Sequence, residues 1–254
     1  MPHPPAYSRR AFTQASLGSL LTYSLLETVF TRDALAADAK LLAKKWMRDL
    51  QDLCGELKGQ KLPQVDWQKK VDELFAQVDL ADVLKFIDFE KLTANLKLRD
   101  NGEISLRAKF PQVEGLPTNL IFGHQVFALG KGRSVVPHGH NNMATAFLIL
   151  KGEFQGKHYD RLEDEAEHMI IRPTIDRPFH AGEHSTVSDF KDNVHWFKAT
   201  SDAAFIFNIH VMDVAPGSQR PTGRVYVDPS GEKLSGGRIR AKLLSTDDVF
   251  KLYG

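Results

Sequence analysis

The chain has 254 residues, of which 42% are hydrophobic and 26% charged, and its formal net charge at pH 7 is +1. This length and composition fit one large domain, or a domain with an appendage, and exclude a disordered or fibrous protein. The balanced charge and the lack of a basic stripe in the sequence argue against nucleic-acid binding, which needs clustered Lys and Arg. A small-molecule site is the better expectation.

Residues 1–36 have the pattern of a twin-arginine export signal. Residues 8–12 read SRRAF, a moderately apolar stretch follows over 15–30, and ALA at 34–36 gives a small-x-small cleavage pattern. The stretch is too short and too weakly apolar to hold the mature chain in a membrane. An amphipathic amino-terminal helix is the alternative interpretation. Export predicts a mature chain that begins at Ala37, a periplasmic location, and the twin-arginine export machinery as a partner.

A helical arm is predicted over residues 37–91. Apolar residues recur there at intervals of three and four, as at Trp46, Leu50 and Leu53, which is typical of an amphipathic helix. The three predicted helices cover residues 39–56, 67–78 and 82–92.

Strand patterns begin after residue 92. Leu96 and Leu98 alternate with polar residues, residues 100–102 read DNG and supply a turn, and the alternation resumes at Ile104 and Leu106. This pattern predicts a β-hairpin.

The rest of the chain, to residue 254, predicts an all-β sandwich or barrel. Short strands separated by turn residues are typical of that architecture. The further strands are predicted over residues 120–129, 144–150, 154–159, 167–172, 195–199, 204–211 and 224–227. A last helix is predicted to begin at Ser245, with Asp248 completing its amino-terminal cap, and to end at Tyr253.

The clearest candidate for a reaction centre is the pair His138 and His140, in a stretch of strand-forming residues. Because side chains alternate between the two faces of a strand, these two histidines point the same way and can reach one cation. Imidazole is a suitable ligand for iron, zinc, copper or nickel. The alternative is that both are ordinary surface or hydrogen-bonded residues.

The spacing around this pair resembles the first motif of the cupin superfamily. Gly132, His138, His140 and Gly152 stand in the order and at the intervals of that motif. The resemblance implies a cupin barrel, that is, a jelly roll or double-stranded β-helix, over residues 92–254.

One position departs from the cupin motif. The family's usual glutamate ligand would fall at Ala144 or Thr145, so the resemblance implies a site of three histidines. The third is His195, in the segment that matches the second cupin motif. Other candidates for a further or substitute ligand are Gln155, His158, His168, His180, His184 and His210. Of these, His180 and His184 are predicted to lie in a solvated loop.

The missing carboxylate narrows the resemblance to the thiol dioxygenases, and to the branch of cysteamine dioxygenase and the plant cysteine oxidases. The residues that match this branch are Met143, Tyr159, Asp160, Asn193, Phe197, Ala199, Gly223, Arg224 and Tyr226. The resemblance implies that His138, His140 and His195 bind Fe(II), and that a small thiol and dioxygen react there to give a sulfinate. Tyr159 and Tyr226 are the candidates for catalytic hydroxyl groups beside the metal.

An acidic residue that this branch carries after its last histidine is absent, and Phe207 and Asn208 occupy its neighbourhood. The departure keeps two other functions open. One is a non-catalytic cupin that binds a small molecule or a metal, with Trp196 lining its pocket. The other is a zinc or nickel hydrolase or isomerase, in which three histidines and a water form an open catalytic site.

Overall fold

The computed structural model describes residues 37–110 and 117–254, with side chains described from residue 45 onward. The predicted export signal at 1–36 lies outside the described residues. None of the helices in the described part of the chain is long and apolar enough to cross a membrane.

Four helices form the amino-terminal arm. They are α1 (Ala37–Lys58), α2 (Gln64–Ala76), α3 (Leu80–Phe86) and α4 (Phe89–Thr93). The single helix predicted over 82–92 is therefore two short ones. The break lies at Asp88, whose φ of +49° is left-handed and cannot continue a right-handed helix. Helix α3 begins at a cap, where the Asp79 carboxylate accepts the backbone N–H of Ala81 at 2.7 Å.

Eleven strands and a last helix follow in the described part of the chain. They are β1 (Ile104–Leu106), β2 (Gly123–Gly130), β3 (Ser134–Asn141), β4 (Met143–Lys151), β5 (Glu153–Asp164), β6 (His168–His180), β7 (His184–Val187), β8 (Val194–Ala199), β9 (Ala203–Met212), β10 (Gly223–Lys233), β11 (Ile239–Leu243) and α5 (Thr246–Tyr253). The predicted cap of α5 is confirmed, because the Ser245 side chain accepts the backbone N–H of Asp248.

The strands form two antiparallel sheets. The first has the order β1-β2-β9-β4-β7, and the second closes on itself in the order β10-β11-β6-β5-β8-β3. In the barrel, one four-stranded face packs against another, and this is the strand arrangement of a jelly roll, the architecture that cupins use. The first face consists of β2, β9, β4 and β7, and the second of β3, β8, β5 and β6. The predicted fold class, a mostly-β barrel with an amino-terminal helical arm, is confirmed.

The hairpin predicted from residue 96 to residue 106 does not form. Gly102 does make the predicted turn, with φ +66°, but β1 pairs with β2, placing Ile104 opposite Ala128. Leu96 and Leu98 instead pack their side chains against the core beneath the helices. Leu96 and Leu98 alternate with polar residues, which suggested a strand of the hairpin. Their burial against the helices takes the place of that strand pairing.

Two cores lie on opposite faces of the five-stranded sheet. The helix-packed layer lies between the helices and this sheet, and it contains Trp46, Trp67 and Phe207. The barrel interior lies between the two sheets, where Phe147, Phe197 and their apolar neighbours pack together. Alternation along β2, β4 and β9 sends successive side chains to one core and then to the other.

Candidate metal centre

The strand register places four side chains in one row across the barrel interior. Tyr226 of β10 stands opposite His138 of β3, His138 opposite His195 of β8, and His195 opposite His158 of β5. Directly opposite residues of antiparallel strands share a face and lie close together. His140 shares this face because it is two residues from His138.

The structure brings His138, His140 and His195 together. One ring nitrogen from each lies within 4.8 Å of the other two. All three residues are buried, with exposed fractions of 1%, 3% and 1% respectively. The His138 and His195 ring centroids are 4.2 Å apart, and the His140 centroid is 5.0 Å from each of them. This convergence is the one that a shared cation requires.

Hydrogen bonds orient two of these rings. Nδ1 of His138 lies 2.7 Å from the carbonyl oxygen of Val136, and a carbonyl only accepts, so Nδ1 carries the proton. Nδ1 of His140 lies 3.2 Å from Oγ1 of Thr145. In each ring Nε2 is buried and has no hydrogen-bond partner among the described residues. Anchoring one imidazole nitrogen so that the other faces the ion is how proteins orient metal-binding histidines.

All three imidazoles are held neutral. Burial lowers the pKa of His138 and of His140 well below 6.5, and the positive charge of Arg224 lowers it further. Burial also lowers the pKa of His195 well below 6.5, helped by the neighbouring histidines. A metal needs the unprotonated nitrogen, so this environment favours metal binding over protonation.

The residues therefore fit a divalent metal ion. An unpartnered buried nitrogen costs about 1–3 kcal/mol, and a cation at this point would satisfy the free nitrogens of His138 and His140 together. Within the described ranges, the group with metal-ligand spacing consists of His138, His140 and His195 and contains no carboxylate. Three imidazoles suit iron, zinc or nickel, and the donor types alone do not choose among them.

Neutral hydrogen-bonding side chains, Thr145 and Asn208, lie at or near the positions where the family resemblance led us to look for acidic residues. Thr145, at the place of the cupin glutamate, contacts His140 and does not join the group of ligands. Asn208 faces the barrel interior, where its Oδ1 accepts from Nε2 of Gln125 at 3.3 Å and lies 3.3 Å from Nδ1 of His210. Thr145 thus supports His140, and the amides of Gln125 and Asn208 form a buried hydrogen bond beside His210.

Arg224 is the nearest cation that acts on all three histidines. It stands opposite His140 in the strand ladder, and its Nη1 donates to Oε1 of Glu103 at 3.4 Å. Its guanidinium also lies 5.7 Å from the ring of Phe127, within range of a cation–π contact. The charge of Arg224 thus lowers the pKa of the three histidines while its guanidinium is paired with the Glu103 carboxylate.

The two candidate tyrosines lie on different faces. Tyr226 shares the face of the centre, with its ring centroid 6.1 Å from that of His138. Tyr159 stands opposite Val194 and belongs to a separate apolar cluster on the other side of its sheet. The prediction of Tyr159 as a residue beside the metal is corrected, because in β5 it is His158, one residue earlier, that faces inward.

Other sequence candidates also lie away from the centre. Gln155 hydrogen-bonds Asp176 at an exposed site, and Trp196 meets Tyr253 edge to face with ring centroids 5.1 Å apart, so neither faces the barrel interior. Both alternate with inward-facing neighbours in their strands, which explains why they point outward. Three further histidines lie beside acidic residues: His168 near Glu165, His180 near Glu153 and His184 near Asp72. The last candidate, His210, is buried beside Asn208 and does not belong to the group with metal-ligand spacing. His180 and His184 belong to strands β6 and β7 and not to the predicted loop.

The sequence reasoning missed the role of Thr145 and underrated His158. Thr145 follows the metal-binding pair by five residues in the adjacent strand, and only the pairing of β3 and β4 into different sheets makes it face His140. His158 was detectable, because it is four residues from Phe154 and therefore shares the inward face of β5 with that apolar residue.

No protein-family model and no curated protein matches the chain. Solved structures do match parts of it. A cupin superfamily protein from Desulfitobacterium hafniense is 16% identical, with a TM-score of 0.31, over 48% of this chain and 88% of that one. A protein with a double-stranded β-helix domain from Klebsiella pneumoniae is 13% identical, with a TM-score of 0.33, over 52% of this chain and 85% of that one.

Plant seed proteins match over a shorter stretch. Procruciferin, an 11S globulin from Brassica napus, is 11% identical, with a TM-score of 0.29, over 37% of this chain. The match covers 21% of the globulin chain, so this protein spans about a fifth of its length.

Proposed function

We propose that this protein is a non-haem iron dioxygenase that oxidises a thiol to a sulfinate at the centre formed by His138, His140 and His195. The observation that carries the proposal is the donor set, three neutral and buried imidazoles with no carboxylate in the group among the residues described. The resemblance of the sequence to the thiol dioxygenases supports the same chemistry.

A neutral donor set favours a thiol as the substrate. A divalent ion held by three imidazoles keeps its full charge, and that charge lowers the pKa of a sulfur ligand more than a partly neutralised ion would. Arg224 adds a second positive charge near the three histidines. The site therefore stabilises the thiolate, which is the reactive form of the substrate.

The proposed reaction is RSH + O2 → RSO2H. Sulfur is oxidised by four electrons, dioxygen is reduced by four, and both oxygen atoms enter the product. Ferrous iron, when bound, supplies the redox chemistry. His138, His140 and His195 would hold the ion, the barrel interior would keep bulk water away, and the inward-facing Tyr226 would offer a hydroxyl to the reacting molecules.

Oxygen uptake tests this proposal. The protein is loaded anaerobically with Fe(II), mixed with small thiols, and followed for dioxygen consumption and sulfinate formation. We expect one dioxygen consumed per sulfinate formed in the wild type and no turnover in His195→Ala. His124→Phe is the matched control, because His124 is also buried but contacts Phe110 in the helix-packed layer, with ring centroids 4.1 Å apart.

The outcome also separates the alternatives. Tight binding of zinc or nickel, with no oxygen uptake by the iron-loaded protein, would overturn the dioxygenase and favour a hydrolase, an isomerase or a binding protein. Three histidines alone satisfy the usual protein ligation of catalytic zinc, so that second candidate rests on the same geometry.

We also propose that residues 1–36 direct export through the twin-arginine route to the periplasm. The support is the sequence pattern, an arginine pair at Arg9 and Arg10 followed by an apolar stretch and a small-x-small site. Fractionation of bacteria that produce the full chain should give a periplasmic form beginning at Ala37. Replacing both arginines by lysine should leave the uncleaved chain in the cytoplasm.

A further inference from the structure

His158 is a fourth histidine on the inner face, outside the group of three. It is fully buried, and neither of its ring nitrogens has a hydrogen-bond partner in the described part of the chain. It stands directly opposite His195, with ring centroids 6.2 Å apart, but it does not join the atoms that lie within 4.8 Å of one another. His158 is therefore close to the centre without being one of its ligands.

A buried imidazole always presents at least one N–H donor, and a neutral ring also presents an acceptor. Leaving such groups without partners destabilises the folded state, and buried polar groups in proteins are nearly always paired. His158, with both ring nitrogens buried and unpartnered among the described residues, can therefore hydrogen-bond a molecule that enters the barrel.

The neighbours of His158 restrict where that molecule lies. The ring stacks on Phe179 at 6.1 Å and meets the edge of Phe197 at 5.5 Å. On the same face of β5, a Cβ added at Gly156 would lie 2.5 Å from the Phe179 ring and 2.9 Å from the Phe197 ring. These aromatic side chains fill one side of His158. The neighbouring ring that is not apolar is that of His195, whose Nδ1 is also buried and unpartnered among the described residues.

We infer that His158 binds the substrate through a hydrogen bond. Its partner is a polar group of the substrate that lies beyond the sulfur, the atom that would bind the metal. The inference rests on the proposed function and narrows its substrate class to thiols with a hydroxyl, amino or amide group near the sulfur. Since the hydrogen bond spans the barrel interior from β5, a thiol with only a hydrocarbon tail gains nothing from His158.

Thiol binding without turnover tests this inference. Co(II)-loaded protein is titrated anaerobically with 2-mercaptoethanol and with ethanethiol, which differ by one hydroxyl, and binding is read from the thiolate-to-cobalt absorption band. In His158→Phe we expect wild-type cobalt stoichiometry, about five- to tenfold weaker binding of 2-mercaptoethanol, and unchanged binding of ethanethiol. His158→Gln keeps a donor and an acceptor and should restore part of the affinity.

The unfolding temperature of the metal-free protein shows whether His158 has a purely structural role. Because the chain offers His158 no partner, His158→Phe should unfold at the same temperature as the wild type or higher, whereas loss of a structural histidine would lower that temperature. If the phenylalanine variant does not fold, His158→Leu and His158→Gln give the same comparison.

Three results would overturn the inference about His158 and leave the proposed function standing. They are an equal change for both thiols, no change for either thiol, and loss of cobalt from His158→Phe, which would make His158 a ligand. If the wild type binds cobalt but shows no thiolate band with either thiol, the proposed thiol chemistry is overturned together with the inference.

Discussion

The helix-packed layer and the barrel interior differ in how their buried polar groups are arranged. In the layer, Gln68 donates to the carbonyl of Thr186 at 2.9 Å and accepts from Ser188 at 2.7 Å, and Thr186 donates to Asp72 at 2.9 Å. In the barrel interior, Nε2 of His138 and of His140 has no partner among the described residues. The first region joins helices to sheet through its own side chains, and its unpartnered atoms, such as Nε1 of Trp46 and Nδ1 of His124, belong to separate residues outside the group with metal-ligand spacing. In the second region the unpartnered nitrogens of His138 and His140 belong to that group, so one ion can satisfy both.

The largest expected effect lies in the helix-packed layer. Trp46 is 2% exposed and its ring lies 6.1 to 6.3 Å from those of Phe75, Phe86 and Phe207. Trp46→Ala should lower the free energy of unfolding by about 3–5 kcal/mol, because it leaves a cavity where helix meets sheet. Denaturant unfolding measures this loss, and Phe190→Ala, at a residue 74% exposed, is the control. A loss below about 1 kcal/mol for Trp46→Ala, a typical value for any point mutation, would contradict the assigned role.

Metal should stabilise the barrel interior. At a free metal concentration of about one hundred times the dissociation constant, the free energy of unfolding should rise by about 2.7 kcal/mol, since the ion binds the folded state. Melting curves with and without Co(II) or Zn(II) check this. His138→Ala should remove the gain and Trp46→Ala should retain it, while an equal gain in His138→Ala would show that the ion binds elsewhere.

Thr145→Val tests the support of a single ligand. The hydroxyl at 3.2 Å from Nδ1 of His140 orients that ring, and valine keeps the shape of threonine without the hydrogen bond. We expect metal affinity to fall about 10- to 100-fold, as is usual for groups that support a metal-binding histidine. Competition with a chelator of known affinity measures the change. Thr186→Val, in the helix-packed layer, should leave the affinity unaltered.

Acid should destabilise the metal-free fold through its buried histidines. Burial lowers the pKa of His124 to about 3 from 6.5, so the unfolded chain binds a proton that the folded chain does not. The stability is fully present above pH 6.5 and is lost as the pH falls towards 3, by about 1.4 kcal/mol per pH unit for this histidine. His124→Phe should therefore lose less stability than the wild type between pH 7 and pH 5. An identical loss would contradict the assignment.

Local periodicity was sufficient for the β-rich fold and for placing His138 and His140 on one face, whereas His195 was predicted from the resemblance to the second cupin motif. His138 and His140 share a face through simple alternation, and the turn residues separate the strands at the right intervals. The helical arm follows from the spacing of Trp46, Leu50 and Leu53 in the same way.

The error at Tyr159 came from the family resemblance and not from the strand pattern. The ladder between β5 and β8 is regular from Phe154 to Tyr159, so simple alternation from Phe154 puts His158 inside the barrel and Tyr159 outside it. The pairing of His184 with Asp72 was beyond prediction, because it joins a strand to a helix 112 residues away.

The most direct test of the metal centre is the stoichiometry of Co(II) binding. Absorption titrations give the number of ions bound per chain by the wild type and by three variants. His138→Ala and His158→Phe change the inner face of the barrel, and His124→Phe is the control in the helix-packed layer. We predict one ion per chain in the wild type, in His158→Phe and in His124→Phe, and none in His138→Ala. Binding of one ion to His138→Ala with wild-type affinity, or no binding by the wild type, would contradict the assignment of the three histidines as a metal centre.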